Sequence, residues 1–352
     1  MATAEGTATK LSGPDLAEGI DSSSLRDGEK LLGHAHGEQV LLARVKGEYF
    51  AISASCTHYG GPLVEGEIVG DTVRCPWHHA CFSLGSGEAL RAPALNPLAC
   101  WRVERRGARI IVGEKVERDP LAPTYPGISA ASNLSKVVII GGGAAGTAAA
   151  EMLRRCGFRG DITVIDEDDG SPYDRPNLSK DYLAGNAPEE WIPIRPAGFY
   201  GEHRISVVKA RATKLDVSRQ MVHVDGGAPV AYESLILATG AEPMRLTVPG
   251  ADLPHVHYLR SLRDSRAIIS VSQQASHAVV IGASFIGLEV AASLRTRNPN
   301  CTVDVLAPEV LPLERVMGRD LGQFIKSLHE EHGVVFHLEQ TATKIERDAV
   351  TL

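Results

Sequence analysis

The feature that most constrains this chain is an internal repeat. Residues 135–166 read SKVVIIGGGAAGTAAAEMLRRCGFRGDITVID, and residues 277–307 read HAVVIGASFIGLEVAASLRTRNPNCTVDVLA. Each segment opens on a β-branched run, turns through small residues into an alanine-rich stretch, and closes on a second β-branched run. That is the pattern of a strand–helix–strand unit in a parallel sheet. Gly141, Gly143 and Gly146 align with Gly282, Ser284 and Gly287, each 141 positions on. Further along, Ala212-Thr213-Lys214-Leu215 aligns with Ala342-Thr343-Lys344-Ile345, now 130 positions on, so the first copy carries eleven extra residues. They fall around Pro172-Tyr173-Asp174-Arg175-Pro176. The first copy continues through a strand at 235–238 into Thr239-Gly240, whereas the second stops at Val350-Thr351-Leu352, one turn and one strand short. The repeat predicts two α/β folds with the second incomplete, as in a C-terminally truncated product.

The glycine spacing carries chemistry. In Gly141-x-Gly143-x-x-Gly146 the first glycine permits the turn, and the second lets the backbone approach a pyrophosphate. The third lets the helix pack on the strand, and the helix N-terminus faces the anion. Gly141, Gly143, Ala144 and Gly146 therefore read as a dinucleotide-binding turn. Asp166, at the end of the second strand, is the expected acceptor for ribose hydroxyls, with Glu167 and Asp168 as rivals. In the second copy, Ser284 replaces the middle glycine and crowds the pyrophosphate slightly. The acid position there is Ala307, and Glu309 is the substitute. No arginine follows the strand to hold a 2′-phosphate, which leans toward NAD and leaves NADP open.

Residues 1–113 have a different texture. Short β-like runs at 40–45, 49–52, 72–74, 101–104 and 109–112 alternate with turn signals, which predicts a small all-β domain. A proline-rich linker is expected at 114–134, then the two α/β parts at 135–253 and 254–352. The β domain holds Cys56-Thr57-His58, sixteen residues, then Cys75-Pro76-Trp77-His78. Two thiolates and two imidazoles at these spacings match a Rieske [2Fe–2S] centre, in which two cysteines hold one iron and two histidines the other. The rival is a Cys2His2 zinc site, although zinc ligands usually pair cysteine with cysteine and histidine with histidine. The second box departs from its usual form by placing His79 where glycine is common, so a strained loop is expected there. Cys81 reads as a buried apolar residue.

The remaining composition excludes several classes. Of 352 residues, 36 are basic and 43 acidic, for a net charge of −7, which argues against a nucleic-acid partner. The six cysteines are scattered rather than spaced as a disulfide framework. The polar N-terminus does not read as a secretory signal, and no apolar run is long enough to span a bilayer. The expected location is cytoplasmic. His329 and His332 do not form a metalloprotease motif, and a solvated helix face is expected for them.

The motifs CTH…CPWH, VVIIGGGAAG, SPYDRPNLSKDYLAG, ILATGAEP and VVIGASFIGLEVA together resemble flavoprotein ferredoxin reductases of the pyridine-nucleotide disulfide reductase superfamily. The N-terminal domain makes the chain similar to the apoptosis-inducing-factor-like Rieske flavoproteins. The resemblance implies FAD in the first copy, with Arg175 and Lys180 beside the flavin and Thr239 and Gly240 closing over it. It implies NAD(P)H in the second, at Gly282, Ser284, Ile286, Gly287, Glu289 and Glu309, with Glu289 near the nicotinamide. Lys180 and Glu289 are thus the candidate catalytic pair. The implied activity is electron transfer from NADH or NADPH through FAD to the [2Fe–2S] cluster and on to a small redox protein, haem protein or oxygenase. The alternative is a Rieske electron carrier or redox sensor with a non-catalytic reductase part. Gly61 and Trp77 stand where respiratory Rieske proteins carry disulfide cysteines, and Ala80 stands where high-potential forms carry a serine hydroxyl. The resemblance therefore implies a low-potential cluster.

Overall fold

The computed structural model describes residues 11–117, 134–168 and 172–352. The chain divides into two compact units, residues 1–119 and 120–352.

The first unit is all-β. Its strands are β1 (Ile20–Asp21), β2 (Lys30–Ala35), β3 (Glu38–Val45), β4 (Glu48–Ser53), β5 (Glu67–Val69), β6 (Thr72–Arg74), β7 (Cys81–Ser83), β8 (Ala89–Arg91), β9 (Cys100–Arg106) and β10 (Arg109–Lys115). They form a six-stranded sheet in the order β1-β10-β9-β4-β3-β2 and a four-stranded sheet in the order β5-β6-β7-β8. Strand β3 reads as an unbroken apolar run because both of its faces are covered. Leu41, Ala43 and Val45 enter one core with Ile52, Val73 and Phe82. Val40 and Leu42 enter the other with Leu16, Trp101 and Ile110. Strand β10 extends two residues beyond the boundary expected at 113: past a register shift after Val112, Lys115 pairs with Trp101 and its ammonium meets Glu38 at 2.7 Å. Residues 118–133 of the expected linker lie outside the described residues.

The second unit contains both copies of the repeat. The first copy runs β11 (Lys136–Ile140), α1 (Ala144–Arg155), β12 (Asp161–Asp166), α2 (Asp181–Ala184), α3 (Phe199–Glu202) and β13 (Ile205–Lys209). A meander of β14 (Ala212–Asp216), β15 (Met221–Val224) and β16 (Val230–Ala231) follows, then β17 (Ser234–Leu237). The sheet order is β13-β12-β11-β17, all pairs parallel. The second copy runs α4 (Leu262–Ser272), β18 (His277–Ile281), α5 (Phe285–Arg297), β19 (Thr302–Ala307), α6 (Glu314–Met317), α7 (Arg319–Glu331) and β20 (Val334–Leu338). It closes on the hairpin β21 (Lys344–Ile345) and β22 (Val350–Thr351), and its parallel sheet has three strands, β18-β19-β20.

The repeat holds at the level of single hydrogen bonds. Buried Arg154, near the end of α1, donates to the carbonyls of Phe158 (2.7 Å), Gly160 (2.8 Å) and His203 (2.6 Å). Its counterpart in α5, Arg295, donates to Pro299 (2.8 Å), Cys301 (2.5 Å) and His332 (3.1 Å). Each arginine ties the helix end to the following strand and to the loop before the third strand. The copies differ on the other face of the sheet. Val138 and Ile140 are buried beneath the β14–β16 meander, whereas the matching Val279 and Ile281 are 39% and 38% exposed. His329 corrects the expectation of a solvated face. It is partly buried, with its ring edge-on to Phe336 and Nε2 3.3 Å from the Leu288 carbonyl.

Candidate functional site

Two loops of the β unit carry the Cys/His boxes, and they share one backbone form. In the first, the Cys56 N–H donates to the Gly61 carbonyl (2.8 Å) and the Gly60 N–H to the Cys56 carbonyl (2.9 Å). In the second, the Cys75 N–H donates to the Ala80 carbonyl (2.9 Å) and the His79 N–H to the Cys75 carbonyl (3.1 Å). Gly60 (φ +75°) and His79 (φ +58°) hold the same left-handed position four residues after each cysteine. This accounts for glycine being usual at position 79 and locates the strain expected there. The cysteines are buried and lie within hydrogen-bonding reach of each other. Burial pushes the Cys56 thiol up, the His58 N–H pulls against it, and the neighbouring Cys75 adds to the rise. His58 is half-buried, His78 is exposed, and their rings meet edge-on at 5.0 Å beside Tyr59. A side chain at Gly61 would place its Cβ 2.7 Å from Cys75 Sγ. Among the described residues, no three His, Cys, Asp or Glu side chains gather closely enough to hold a single ion. The loops supply two pairs, sulfur inside and imidazole outside, and that donor set fits a binuclear cluster. Cys81 is buried, as expected.

The first dinucleotide turn lies at the C-terminal ends of β11, β12 and β17. Gly141 (φ +104°) passes so close to β17 that a Cβ would stand 2.2 Å from the Ala238 carbonyl and 3.2 Å from Thr239 Cα. Thr239 is therefore brought against the turn, and Gly240 (φ +72°) follows it, with the Arg260 guanidinium 3.0 Å from where a Cβ would be. A Cβ on Gly146 would stand 1.8 Å from the Gly141 carbonyl, so the third glycine sets the approach of helix to strand. Gly143 has ordinary extended backbone (φ −72°) and open space, with the Arg175 guanidinium 3.9 Å from where a Cβ would be. The cradle thus keeps room at its second glycine, as a pyrophosphate requires. Ala144 opens α1. Asp166 lies over the turn, its Oδ2 2.5 Å from where a Cβ on Gly142 would be. Of its two rivals, Glu167 is exposed and faces Arg211 at 3.7 Å. Asp168 accepts from Tyr173 Oη (2.7 Å) and pairs with Arg175 (3.1 Å). Burial first, and then the bond to Asp168, pushes the Tyr173 phenol up to about 12, which keeps it a donor.

The second turn repeats this backbone. Ser284 has φ −82°, so a side chain is accommodated without strain, and a Cβ on Gly287 would meet the Gly282 carbonyl at 2.0 Å. Ile286 is exposed on the first turn of α5, and Glu309 follows β19 by two residues, its carbonyl accepting from the Glu339 N–H. The pairing of residues across the copies is informative. Where Asp166 approaches, the neighbour is Gly142; where Ala307 replaces the acid, the neighbour is Ala283.

The inserted segment of the first copy joins the two turns. A 3-10 turn over Arg175–Ser179 leads into α2, which packs on α5. Lys180 Nζ lies 2.9 Å from Glu289 Oε2, so the two candidate catalytic residues, 109 positions apart, form one ion pair. Sequence reasoning missed the other residues of this junction. Ser179 donates to Glu289 Oε2 at 2.6 Å, and Ser293 donates to the Ser179 carbonyl at 2.7 Å. It also missed Arg154 and Arg295, whose signal is the constant offset of 141, and the buried pair Arg195–Glu151, with Arg195 Nε 2.8 Å from Glu151 Oε1.

Residues 135–352 match the model of the pyridine nucleotide-disulphide oxidoreductase family. The chain belongs to that family. Residues 18–102 match the Rieske [2Fe-2S] domain. Together the two matches imply a [2Fe–2S] cluster, FAD and NAD(P)H as cofactors. Apoptosis-inducing factor 3 of Mus musculus is 32% identical over 319 residues, covering 87% of this chain and 51% of that protein. Rhodocoxin reductase of Rhodococcus erythropolis is 40% identical over 205 residues, covering 57% of this chain and 47% of that one. Among solved structures, the covalent putidaredoxin reductase–putidaredoxin complex is similar with a TM-score of 0.56 and 33% identity, over 61% of this chain and 52% of that chain. The chain spans about half the length of the curated relatives it matches. Among the described residues, no helix is long and apolar enough to cross a membrane.

Proposed function

We propose that the chain is an NAD(P)H-dependent oxidoreductase that delivers electrons singly to an acceptor through its Rieske domain. The observation that supports this most directly is the combination, in one chain, of the two sulfur-inside, imidazole-outside loops with two dinucleotide turns joined by the Lys180–Glu289 pair. When bound, FAD takes the electron pair of a hydride from NAD(P)H, and a [2Fe–2S] cluster accepts electrons one at a time. Gly141, Gly143, Ala144 and Gly146 would cradle the FAD pyrophosphate, Asp166 would accept from its ribose hydroxyls, and Thr239 and Gly240 would close over it. Arg175 is held at the mouth of the cradle by Asp168. Gly282, Ser284, Ile286 and Gly287 take the nicotinamide dinucleotide, with Glu309 as the acid beyond β19. Lys180 would supply a positive charge to a bound flavin, and Glu289 fixes the position of its ammonium. Cys56 and Cys75, buried, would hold one iron of the cluster, and His58 and His78 the other. Covalent fusion keeps donor and cluster at high effective concentration without strong affinity. The acceptor is a small redox protein, a haem protein or an oxygenase.

The test is iron, acid-labile sulfide and flavin analysis of the purified chain, with NADH- and NADPH-driven reduction of cytochrome c or a dye. Two irons and one FAD per chain with turnover support the reading. Zinc in place of iron contradicts it, as does a full cofactor load without turnover. The latter result favours a carrier or sensor.

A further inference from the structure

We propose that Ser179 is a positioning residue for flavin reduction, its hydroxyl orienting the Glu289 carboxylate that carries Lys180. This inference rests on the reading that Lys180 serves the flavin. A single carboxylate oxygen, Glu289 Oε2, receives both the Ser179 hydroxyl at 2.6 Å and the Lys180 ammonium at 2.9 Å. The two charged side chains are half-exposed, 47% for Lys180 and 28% for Glu289. A pair of long, solvated side chains loses rotamer entropy to hold one geometry, so their attraction alone fixes position weakly. Ser179 is buried, at 5% exposure, on a short side chain with one rotatable bond, so it anchors the carboxylate more tightly than the pair's other tie, the 3.4 Å bond from Lys180 Nζ to the Pro176 carbonyl, anchors the ammonium.

The anchor is tied from both sides. Ser293 lies four residues after Glu289, on the same face of α5. It donates to the Ser179 carbonyl at 2.7 Å and to the Lys180 carbonyl at 3.3 Å. Another four residues on, Arg297 donates to the Tyr182 carbonyl at 2.8 Å and to that of Leu183. Helix α5 begins at the Gly282–Gly287 turn, so the helix that opens on the second dinucleotide site grips the segment carrying Lys180. At Ser179 the exchange is reciprocal: α5 accepts from the side chain and donates to the main chain. The alternative acceptor for the hydroxyl, the Pro176 carbonyl, is farther away at 3.3 Å. Removing the hydroxyl changes no charge and no hydrogen bond between main-chain groups. It frees the Glu289 carboxylate to rotate, and Lys180 moves with it.

The test compares the full chain with Ser179→Ala, Ser179→Thr and Lys180→Met. Each is assayed for FAD content, flavin midpoint potential and the pH profile of flavin reduction by the faster of NADH and NADPH. Ser179→Ala is expected to keep its FAD and to shift the midpoint downward. It should slow reduction at saturating nucleotide about tenfold, the effect of one lost hydrogen bond, with little change in half-saturation. Ser179→Thr keeps the hydroxyl and should restore the rate to within about twofold. Wild-type rate and midpoint in Ser179→Ala would overturn the proposal. So would loss of FAD from that variant, or equal slowing by alanine and threonine. Lys180→Met separates the two levels. If it too has wild-type rate and midpoint, the reading of Lys180 fails; if it is slowed while Ser179→Ala is silent, only the role of Ser179 fails.

Discussion

The neighbours Gly142 and Asp166 allow a quantitative test of how the first dinucleotide turn is built. A Cβ on Gly142 would lie 2.5 Å from Asp166 Oδ2, 2.8 Å from its Cγ and 3.0 Å from its Cβ. All three distances are at or inside the limit of real Cβ contacts, so in Gly142→Ala the aspartate must leave its rotamer. Overpacking of this kind costs about 1–3 kcal/mol. The second copy already has the relieved combination, Ala283 beside Ala307. The double variant Gly142→Ala/Asp166→Ala reproduces it and should regain most of the loss, giving a coupling of about 1 kcal/mol or more. Thermal unfolding of the cofactor-free chain and its three variants measures this. A shift of roughly 2–4 °C per kcal/mol is expected for a unit of this size. FAD affinity supplies an independent readout, because Asp166 is displaced in one single variant and absent in the other two variants. All three should bind about 10- to 100-fold more weakly, the worth of a hydrogen bond to a charged group. Strictly additive stability changes, or a double variant that binds FAD like the wild type, would refute the reasoning.

Three further expectations follow from the same geometry. The Arg266 guanidinium and then the Tyr182 hydroxyl hold the Glu189 carboxyl down to about 2, so its contribution is present above about 4.5 and is lost as pH falls toward 2. Both partners are 45% exposed, so after screening the pair is worth less than about 1 kcal/mol; Glu189→Gln should remove that much acid dependence in a pH series of unfolding midpoints. Arg154→Ala strands the buried Phe158 carbonyl and three part-buried ones and should destabilise the second unit by about 2–3 kcal/mol, whereas Arg295→Ala, at a more exposed site, should cost less; denaturant titration of both variants checks the order. Ala80 is fully buried beside the cysteine loop, and Ala80→Ser should raise the cluster midpoint on the order of 60–130 mV if its hydroxyl reaches a cluster sulfur, as an EPR-monitored titration would register.

Much of this arrangement was legible because the repeat is rigid. Strands β11 and β18, and β12 and β19, begin 141 residues apart, the offset of the glycines themselves. The cysteine–histidine boxes were equally plain, and the unusual His79 marked a real left-handed residue. Less of the small β unit could be read. Strands β5, β7 and β8 have three residues each, too few to show a period, and β2 is interrupted by Gly33, where a Cβ would meet Leu16 Cγ at 2.7 Å. The junction around Lys180 was half legible. The motif carries lysine and glutamate, but a serine in a turn and a serine on a helix look ordinary until folding sets them 2.6 and 2.7 Å from their acceptors. Arg154 and Arg295 were in plain view at the repeat offset, yet an arginine near a helix end reads as a solvated charge, because sequence does not show that the loop after the helix and the loop before the third strand turn their carbonyls toward it.

If one chain takes electrons from NAD(P)H and delivers them to its own Rieske domain, the transfer is intramolecular. Freeze-quench EPR after anaerobic mixing with the faster nucleotide, on chain loaded with FAD and cluster, tests it most directly. Flavin bleaching is expected, followed by the signal of a reduced Rieske cluster, at a rate independent of protein concentration and without an added mediator. A bleached flavin beside a cluster that stays oxidised would contradict it.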